Sequence, residues 1–454
     1  MTMARETLSS RLGFLLLTAG CAIGLGNVWR FPFIVGEYGG AAFVLLYLLF
    51  LVILGMPVMT MELAVGRAAQ RSLFGAYKTL HQSKFKWHVP GGVFFSGSVI
   101  LMIYYTTVSG WLLYYTYLYL NGSMATVTPD QTKLVFNGIL VSPWKNVIPM
   151  LTVVISGCLI CYIGLQKGVE RITKILMSGL FLLLVILSIN SLTLPEAKAA
   201  MKFYLYPDFS KITFEAIPAA MGQAFFTLSI GIGSIAIFGS YTDKSRSLSG
   251  ETLQIVILDT IVALLSGCVI FPACMSYNIP ANAGPGLIFE SLPAVFYHMP
   301  GGRFWGILFF LFLCFAAMTT VIAVFENLIA FMVDECSWGR KKASILCLTV
   351  IGIGSLPCAL GFNVLKNVQL LGKGSTILDF EDYLLSDILL PIGGLYLVLF
   401  CCLKTGWGWE KFTEEVNTGV GMKFPVGLRF YCKWILPALI LALFFLGVYK
   451  RFIA

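Results

Sequence analysis

The sequence has few charged residues for its length. Only 12% of its 454 residues are Asp, Glu, Lys or Arg, about half the share in an average soluble domain. Histidine occurs three times, never in a metal-ligand or nucleophile pattern. This lack of charge, with 58% apolar residues, excludes an ordinary soluble globule and leaves no stretch for a soluble domain. A chain of this composition is expected to lie in a lipid bilayer.

Apolar runs long enough to cross a bilayer recur along the whole chain. A helix needs about 20 residues to cross roughly 30 Å of hydrocarbon. We identify eleven runs: 11–35, 41–70, 88–121, 145–164, 167–190, 214–238, 251–276, 302–336, 341–358, 376–402 and 431–450. No small-residue cleavage site follows the first run, so we expect it to be retained. The sequence predicts an all-α integral membrane protein with eleven transmembrane helices.

Lysine and arginine are unevenly divided between the two sets of loops. With the N-terminus inside the cell, 20 of them fall on the cytoplasmic side and 10 on the other. This bias predicts a multi-pass protein of the cell membrane with a cytoplasmic N-terminus and an external C-terminus. The net charge of +9 follows from this topology and the anionic inner leaflet, so we expect no nucleic-acid partner.

The twelve cysteines lie mostly within apolar runs. Cys158 and Cys161 form a CxxC pair, but no second pair or histidine cluster accompanies them. We therefore interpret the cysteines as small apolar residues rather than as metal ligands.

Glycines interrupt the first and sixth runs at matching positions. The first carries GLGN within AGCAIGLGNVWRFP, residues 19–32, and the sixth carries GIGS within FFTLSIGIGS, residues 225–234. Corresponding interruptions predict a 5+5 inverted repeat with discontinuous first and sixth helices and a binding site between them. The alternative is that these glycines serve close helix packing. The predicted units are a cytoplasmic tail 1–10, a first repeat 11–190, an extracellular connection 191–213, a second repeat 214–402, and a loop with the eleventh helix, 403–454.

A helix unwound in hydrocarbon exposes main-chain groups that cost several kcal/mol each unless something binds them. Free carbonyl groups suit a cation. The N-terminal end of the resumed helix suits an anion such as a carboxylate.

Residues 11–67 closely resemble the neurotransmitter:sodium symporter family. The resemblance continues through IYYTTVSGW (103–111), FFTLSIGIGS and FAAMTTVIAVFE (315–326). Within the family, the chain is most similar to bacterial amino-acid transporters of the multi-hydrophobic branch. The resemblance implies symport of neutral hydrophobic and aromatic L-amino acids into the cell by alternating access, driven by Na+. Many members have a twelfth span, and segment 404–425 before the last run is either a loop or interfacial.

The resemblance also implies two sodium sites. The first would use the Ala22 carbonyl group, the Asn27 side chain, Thr227, Asp259 and the substrate carboxylate. The second would use carbonyl groups of Gly20, Ile23 and Ala316 with hydroxyl groups of Thr319 and Thr320. All ligands of the second site are neutral oxygens, which suit a monovalent hard cation.

Asp259 departs from the family pattern, which commonly has asparagine there. Ala263 stands where animal members have a chloride-site serine and several bacterial members a glutamate. Residues four apart share a helix face, so the Asp259 carboxylate would supply the negative charge that chloride supplies elsewhere. We therefore expect no chloride requirement. The alternative is a carboxyl group kept protonated by burial.

The substrate class depends on Gly24, where monoamine-transporting relatives carry aspartate. A missing side chain fits a substrate that brings its own carboxylate, and therefore an amino acid. The expected binding residues are Ala22, Gly24, Leu25, Gly26, Leu101, Tyr105, Phe226, Thr227, Ser229, Ile232, Thr320 and Val324.

Two charge pairs would act as gates. Arg30 and Asp382 would close the outer side, and Arg5 and Asp334 the cytoplasmic side. Arg5 has the alternative of serving only as a positive-inside residue. The family's inner tryptophan is Leu8 here, and its glutamine after the eighth-helix motif is Glu326.

The sequence leaves a second functional class open, a ligand-gated channel or sensor. An enzyme is not expected, because no nucleophile and base stand out as a pair. The expected partners are a small amino-acid substrate and the bilayer, and no oligomer is predicted.

Overall fold

The structure is a computed structural model that describes residues 6–279 and 286–452. Within these ranges the chain is almost entirely helical, and its β-structure consists of one isolated bridge between Arg246 and Val420.

Nine of the described helices are long and apolar enough to cross a membrane: Ala41–Ala69, His88–Leu120, Pro143–Ile163, Leu165–Leu192, Leu248–Ser276, Gly302–Cys336, Arg340–Leu360, Ile377–Cys402 and Val426–Tyr449. A further span consists of Arg11–Ala22 and Gly26–Glu37, bent by 55°. The sixth predicted run holds two short helices, Ala216–Thr227 and Ser234–Gly239. The count of eleven membrane spans stays a prediction. Below, each helix is numbered by the predicted apolar run in which it lies, so that the third helix is the one in run 88–121.

Shorter helices lie in the connections: Leu73–Leu80, Pro129–Leu140, Ala197–Leu205, Leu292–His298 and Trp409–Val416. The third and eighth helices pack along each other at the centre, and the eighth also contacts the first, fourth and fifth. Both predicted discontinuities are present, which is the architecture of the 5+5 repeat.

Close glycine contacts fix the second half of the sixth helix against the second helix. A Cβ atom on Gly66 would lie 1.8 Å from the Ala236 carbonyl oxygen, and one on Gly239 would lie 2.3 Å from that of Leu63. Because backbone atoms occupy that space, side chains at these positions would force the helices apart.

A buried ion pair anchors segment 404–425 to the helix core. Arg67, at the end of the second helix, has no exposed surface. Its Nε atom donates to Glu415 Oε1 at 2.7 Å, and its Nη1 atom donates to the Arg246 carbonyl oxygen at 2.6 Å. Trp409 and Phe412 on the same short helix are also buried. This part of the segment therefore packs onto the protein.

Removing one partner of this buried pair should destabilise the protein. The substitution Glu415→Ala leaves the Arg67 guanidinium buried with fewer partners, which typically costs about 3–5 kcal/mol. We expect a clearly lower thermal unfolding midpoint in detergent. Glu410→Ala is the control, because Glu410 lies on the same helix and its ion pair with Arg429 is exposed, worth about 0–1 kcal/mol. Equal midpoints for the two variants would contradict the anchoring role.

Candidate functional site

The first helix is interrupted after Ala22, and Gly24 in the break lies against Tyr105 of the third helix and Thr320 of the eighth. A Cβ atom on Gly24 would lie 2.7 Å from both Thr320 Oγ1 and Tyr105 Oη. The Leu25 amide donates to the Tyr105 hydroxyl at 3.2 Å. The break therefore places main-chain donors and a hydroxyl group around a position that has no room for a side chain.

One carboxylate satisfies much of the break in the sixth helix. Glu62, on the second helix, accepts hydrogen bonds from the amides of Gly231 at 2.7 Å, Ile235 at 3.2 Å and Ala236 at 3.4 Å. Its side chain is fully buried. The sequence analysis gave Glu62 no role, although a carboxylate within an apolar run is itself a functional signal.

The five residues of the predicted second sodium site lie together. Thr319 Oγ1 lies 2.9 Å from the Ala316 carbonyl oxygen and 3.5 Å from that of Ile23. Thr320 Oγ1 lies 3.4 Å from the Gly20 carbonyl oxygen and 3.5 Å from that of Ile23. The long distances indicate weak hydrogen bonds. Uncharged oxygens from two helices thus face one another. Oxygen atoms of this kind are suitable ligands for Na+.

The side chains of the predicted first sodium site also meet. Asn27 Nδ2 donates to Asp259 Oδ1 at 2.8 Å, and Thr227 Oγ1 lies 3.1 Å from Asp259 Oδ2. The Gly24 amide donates to Asn27 Oδ1 at 3.1 Å, so the amide orientation of Asn27 is fixed. Asp259 is fully buried, and Ala22 lines the adjoining cavity. A carboxylate and an amide oxygen there offer hard ligands to a cation.

A cavity lies between the two breaks, with a volume of 20 Å³. Ten of the twelve predicted substrate residues line it: Ala22, Gly24, Leu25, Gly26, Leu101, Tyr105, Phe226, Ser229, Ile232 and Thr320. Thr227 lies beside Asp259 instead. Val324, one helical turn after Thr320, is fully buried and does not line this cavity. Its role in substrate binding stays a prediction.

Three further residues line this cavity: Cys21, Leu385 and Leu390. The two leucines come from the tenth helix, which the sequence analysis did not connect with the substrate. Leu101, Ile232 and these two leucines add aliphatic side chains to a lining that also includes polar main chain of the breaks.

A second cavity of 210 Å³ lies on the predicted outer side, and Tyr105 and Phe226 border both cavities. Arg30 and Asp382 line this outer cavity, but no ion pair joins them in the described structure. The Arg30 guanidinium lies 4.4 Å from the centre of the Phe226 ring. Asp382 accepts a hydrogen bond from Ser386 Oγ at 2.8 Å. The predicted direct outer pair is therefore not made, because each charge has another partner.

On the predicted cytoplasmic side, Asp334 accepts a hydrogen bond from the Ser72 amide at 2.7 Å. Its predicted partner Arg5 lies outside the described residues, so this gate stays a prediction.

Glu326, which departs from the family's glutamine, forms a buried network nearby. Its Oε1 atom accepts from Tyr241 Oη at 2.6 Å and from Arg340 Nη1 at 3.0 Å. Arg340 Nε also donates to the Cys161 carbonyl oxygen at 2.7 Å. These bonds tie the fourth, eighth and ninth helices and the residues just after the sixth helix together on this side.

Two discontinuous helices that meet at a buried cavity beside two oxygen clusters are the architecture of ion-coupled secondary transporters. The profile of the "Sodium:neurotransmitter symporter family" matches residues 5–133 and 140–452. The chain belongs to this family, whose members are transporters rather than enzymes, and its activity is sodium-coupled transport.

The chain is similar to individual members of the family over almost its full length. Uncharacterized sodium-dependent transporters of Bacillus subtilis (strain 168) and Haemophilus influenzae are 34% and 35% identical to the chain. The first comparison covers 96% of both chains and the second 97% of both. The crystal structure of MhsT in complex with L-phenylalanine superposes with a TM-score of 0.88 at 34% identity, covering 98% of this chain and 100% of MhsT.

A side chain at Gly24 should disturb the cavity and the neighbouring second oxygen cluster. Gly24→Ala must displace Tyr105 Oη or Thr320 Oγ1, so we expect about tenfold weaker sodium binding, or about 1.4 kcal/mol. Sodium-dependent thermal stabilisation of the purified protein measures this affinity. For the control Gly222→Ala, the nearest atom to the added Cβ is 3.8 Å away. The same sodium affinity in both variants would argue against this geometry.

Proposed function

We propose that the protein carries neutral hydrophobic and aromatic L-amino acids into the cell by alternating access, together with two sodium ions and without chloride. One observation carries the proposal: the cavity between the breaks is lined by both polar main chain and aliphatic side chains, and it adjoins both oxygen clusters. An amino acid has the matching division between a zwitterionic end and a side chain.

The polar end of the cavity supports an amino acid as substrate. Gly24, Leu25 and Tyr105 line the cavity, and main-chain amides at the break with the Tyr105 hydroxyl would suit a carboxylate brought by the substrate. Ser229 lies on the sixth-helix side of the same cavity, where hydroxyl and carbonyl oxygens suit an ammonium group. The L-phenylalanine in the MhsT structure supports the same class.

The hydrogen bonds around Asp259 support an ionised carboxylate. Since Asn27 Oδ1 accepts from the Gly24 amide, the Asn27 group facing Asp259 is the donor Nδ2. Thr227 Oγ1 can donate to the other carboxylate oxygen. The Asn27 amide donor on Oδ1 and a Thr227 hydroxyl that can donate to Oδ2 are the partners that an ionised carboxylate needs.

The charge of the loaded site favours chloride independence. Two sodium ions and a zwitterion bring two net positive charges into a buried space, and an ionised Asp259 reduces this excess to one. Ala263, one turn away, has no polar side chain that would hold chloride.

The same stoichiometry would make transport electrogenic. Two net charges moving inward gain about 2.3 kcal/mol each per 100 mV, together about 4.6 kcal/mol. At about 1.4 kcal/mol per decade this sustains roughly thousandfold accumulation before the sodium gradient contributes.

Uptake into proteoliposomes tests the function. With an inward sodium gradient and gluconate in place of chloride, we expect accumulation of labelled leucine and phenylalanine but not of glutamate, stimulated by an inside-negative potential. Flux that follows only the substrate's own gradient, with no effect of sodium, would indicate a channel and refute symport.

The role of Asp259 has its own test. Asp259→Asn removes the carboxylate from the first cluster, so the sodium concentration for half-maximal uptake should rise at least about tenfold, or uptake should become chloride-dependent. Thr260→Ala is the control, because the neighbouring Thr260 hydroxyl bonds the Val256 carbonyl group of its own helix. Unchanged sodium dependence in Asp259→Asn without chloride would refute the assignment.

A further inference from the structure

The tenth helix contributes two side chains to the cavity, those of Leu385 and Leu390. Both are buried, with 1% and 3% of their surface exposed. Leu389, between them, is also buried but does not line the cavity. The helix therefore presents particular residues to the cavity.

A π-helical turn explains this selection. Residues five apart on a regular α-helix point about 140° away from each other, since each residue turns by about 100°. Over Leu384–Leu389 the chain forms a π-helical turn, and the Leu390 amide donates to the Leu385 carbonyl oxygen. This bond between residues five apart brings them onto one face. Without the extra residue in the turn, Leu385 and Leu390 would not face the cavity together.

Close backbone contact holds the tenth helix against the break in the sixth. A Cβ atom on Gly231 would lie 2.6 Å from the Leu390 carbonyl oxygen, and one on Gly393 would lie 2.2 Å from that of Gly231. Gly231 also has a φ of +97°, which favours glycine. The position of Leu390 is therefore fixed relative to the break itself.

The aliphatic side of the cavity is tightly packed. A Cβ atom on Gly97 of the third helix would lie 2.7 Å from Ile232 Cγ2, 3.3 Å from Leu385 Cδ1 and 3.5 Å from Leu389 Cδ1. The third, sixth and tenth helices thus converge at this point. A larger substrate side chain can gain room where Leu385 and Leu390 border the cavity.

We propose that Leu385 and Leu390 set the size limit for the substrate side chain. The inference rests on the proposed function and adds a specificity-determining surface on the tenth helix. Shortening either leucine should favour large side chains over small ones, because a pocket discriminates by about tenfold or more for each methylene that fits or fails to fit.

The test compares competition profiles in proteoliposomes. Unlabelled leucine, phenylalanine and tryptophan compete with labelled leucine for sodium-driven uptake by the unsubstituted protein, Leu385→Ala, Leu390→Ala and the control Leu389→Ala. Leu389 lies in the same turn, has similar burial and does not line the cavity. We expect the affinity for tryptophan relative to leucine to rise at least about tenfold in the first two variants, and less than threefold in the control.

Milder variants keep the test decisive if an alanine variant does not fold. Leu385→Val and Leu390→Val should shift the ratio in the same direction, and Leu390→Phe in the opposite direction. An unchanged ratio with uptake preserved, or an equal shift in Leu389→Ala, would overturn the inference. If the unsubstituted protein accumulates no neutral amino acid with sodium, the proposed function fails instead.

Discussion

The structure depends on satisfying main-chain groups that two helices expose within the membrane. An unpaired amide or carbonyl group in hydrocarbon costs several kcal/mol, so each break must be enclosed by fixed partners. Glu62 binds three amides of the sixth helix, and Gln223 Nε2 donates to the Gly26 carbonyl oxygen at 3.0 Å. Protein groups therefore satisfy several of the main-chain groups that the two breaks expose.

Glycine makes this arrangement possible in two different ways. At Gly24 the absence of a Cβ atom lets the Tyr105 and Thr320 hydroxyl groups approach the main chain of the first helix, whereas at Gly231 it lets the main chain touch the tenth helix. The break in the first helix thus brings polar groups to the cavity, and the break in the sixth helix is held in place by its contact with the tenth helix. Both contacts border the cavity, whose lining therefore combines polar main-chain groups with aliphatic side chains.

Much of this site could be predicted because its signals are local in sequence. The glycines at 24 and 231 interrupt apolar runs, and Asp259 and the pair Thr319 and Thr320 occupy positions that the family resemblance identifies. Leu385 and Leu390 could not be found in this way. Their common orientation depends on a single π-helical turn, and one extra residue changes which side of a helix faces a cavity.

The direct ion pair of the predicted outer gate is not formed in the described structure, and the role of the two residues as a gate stays a prediction. Opposite charges at Arg30 and Asp382 indicate that a pair is possible, but sequence does not reveal competing partners. Arg30 stacks on Phe226, which borders the cavity, while Ser386 binds Asp382. The Arg30 guanidinium thus contacts an aromatic ring that borders both the inner and the outer cavity.

The second oxygen cluster gives a physical basis for coupling ion binding to conformation. Its oxygens come from the first helix, through Gly20 and Ile23, and from the eighth helix, through Thr319 and Thr320. An ion held by both helices stabilises the arrangement in which they are close, and it binds poorly once they separate. Sodium can shift the conformational equilibrium only by the difference between its binding free energies in the two arrangements. The contacts of the first helix with the eighth are therefore where the sodium gradient can act on access to the cavity.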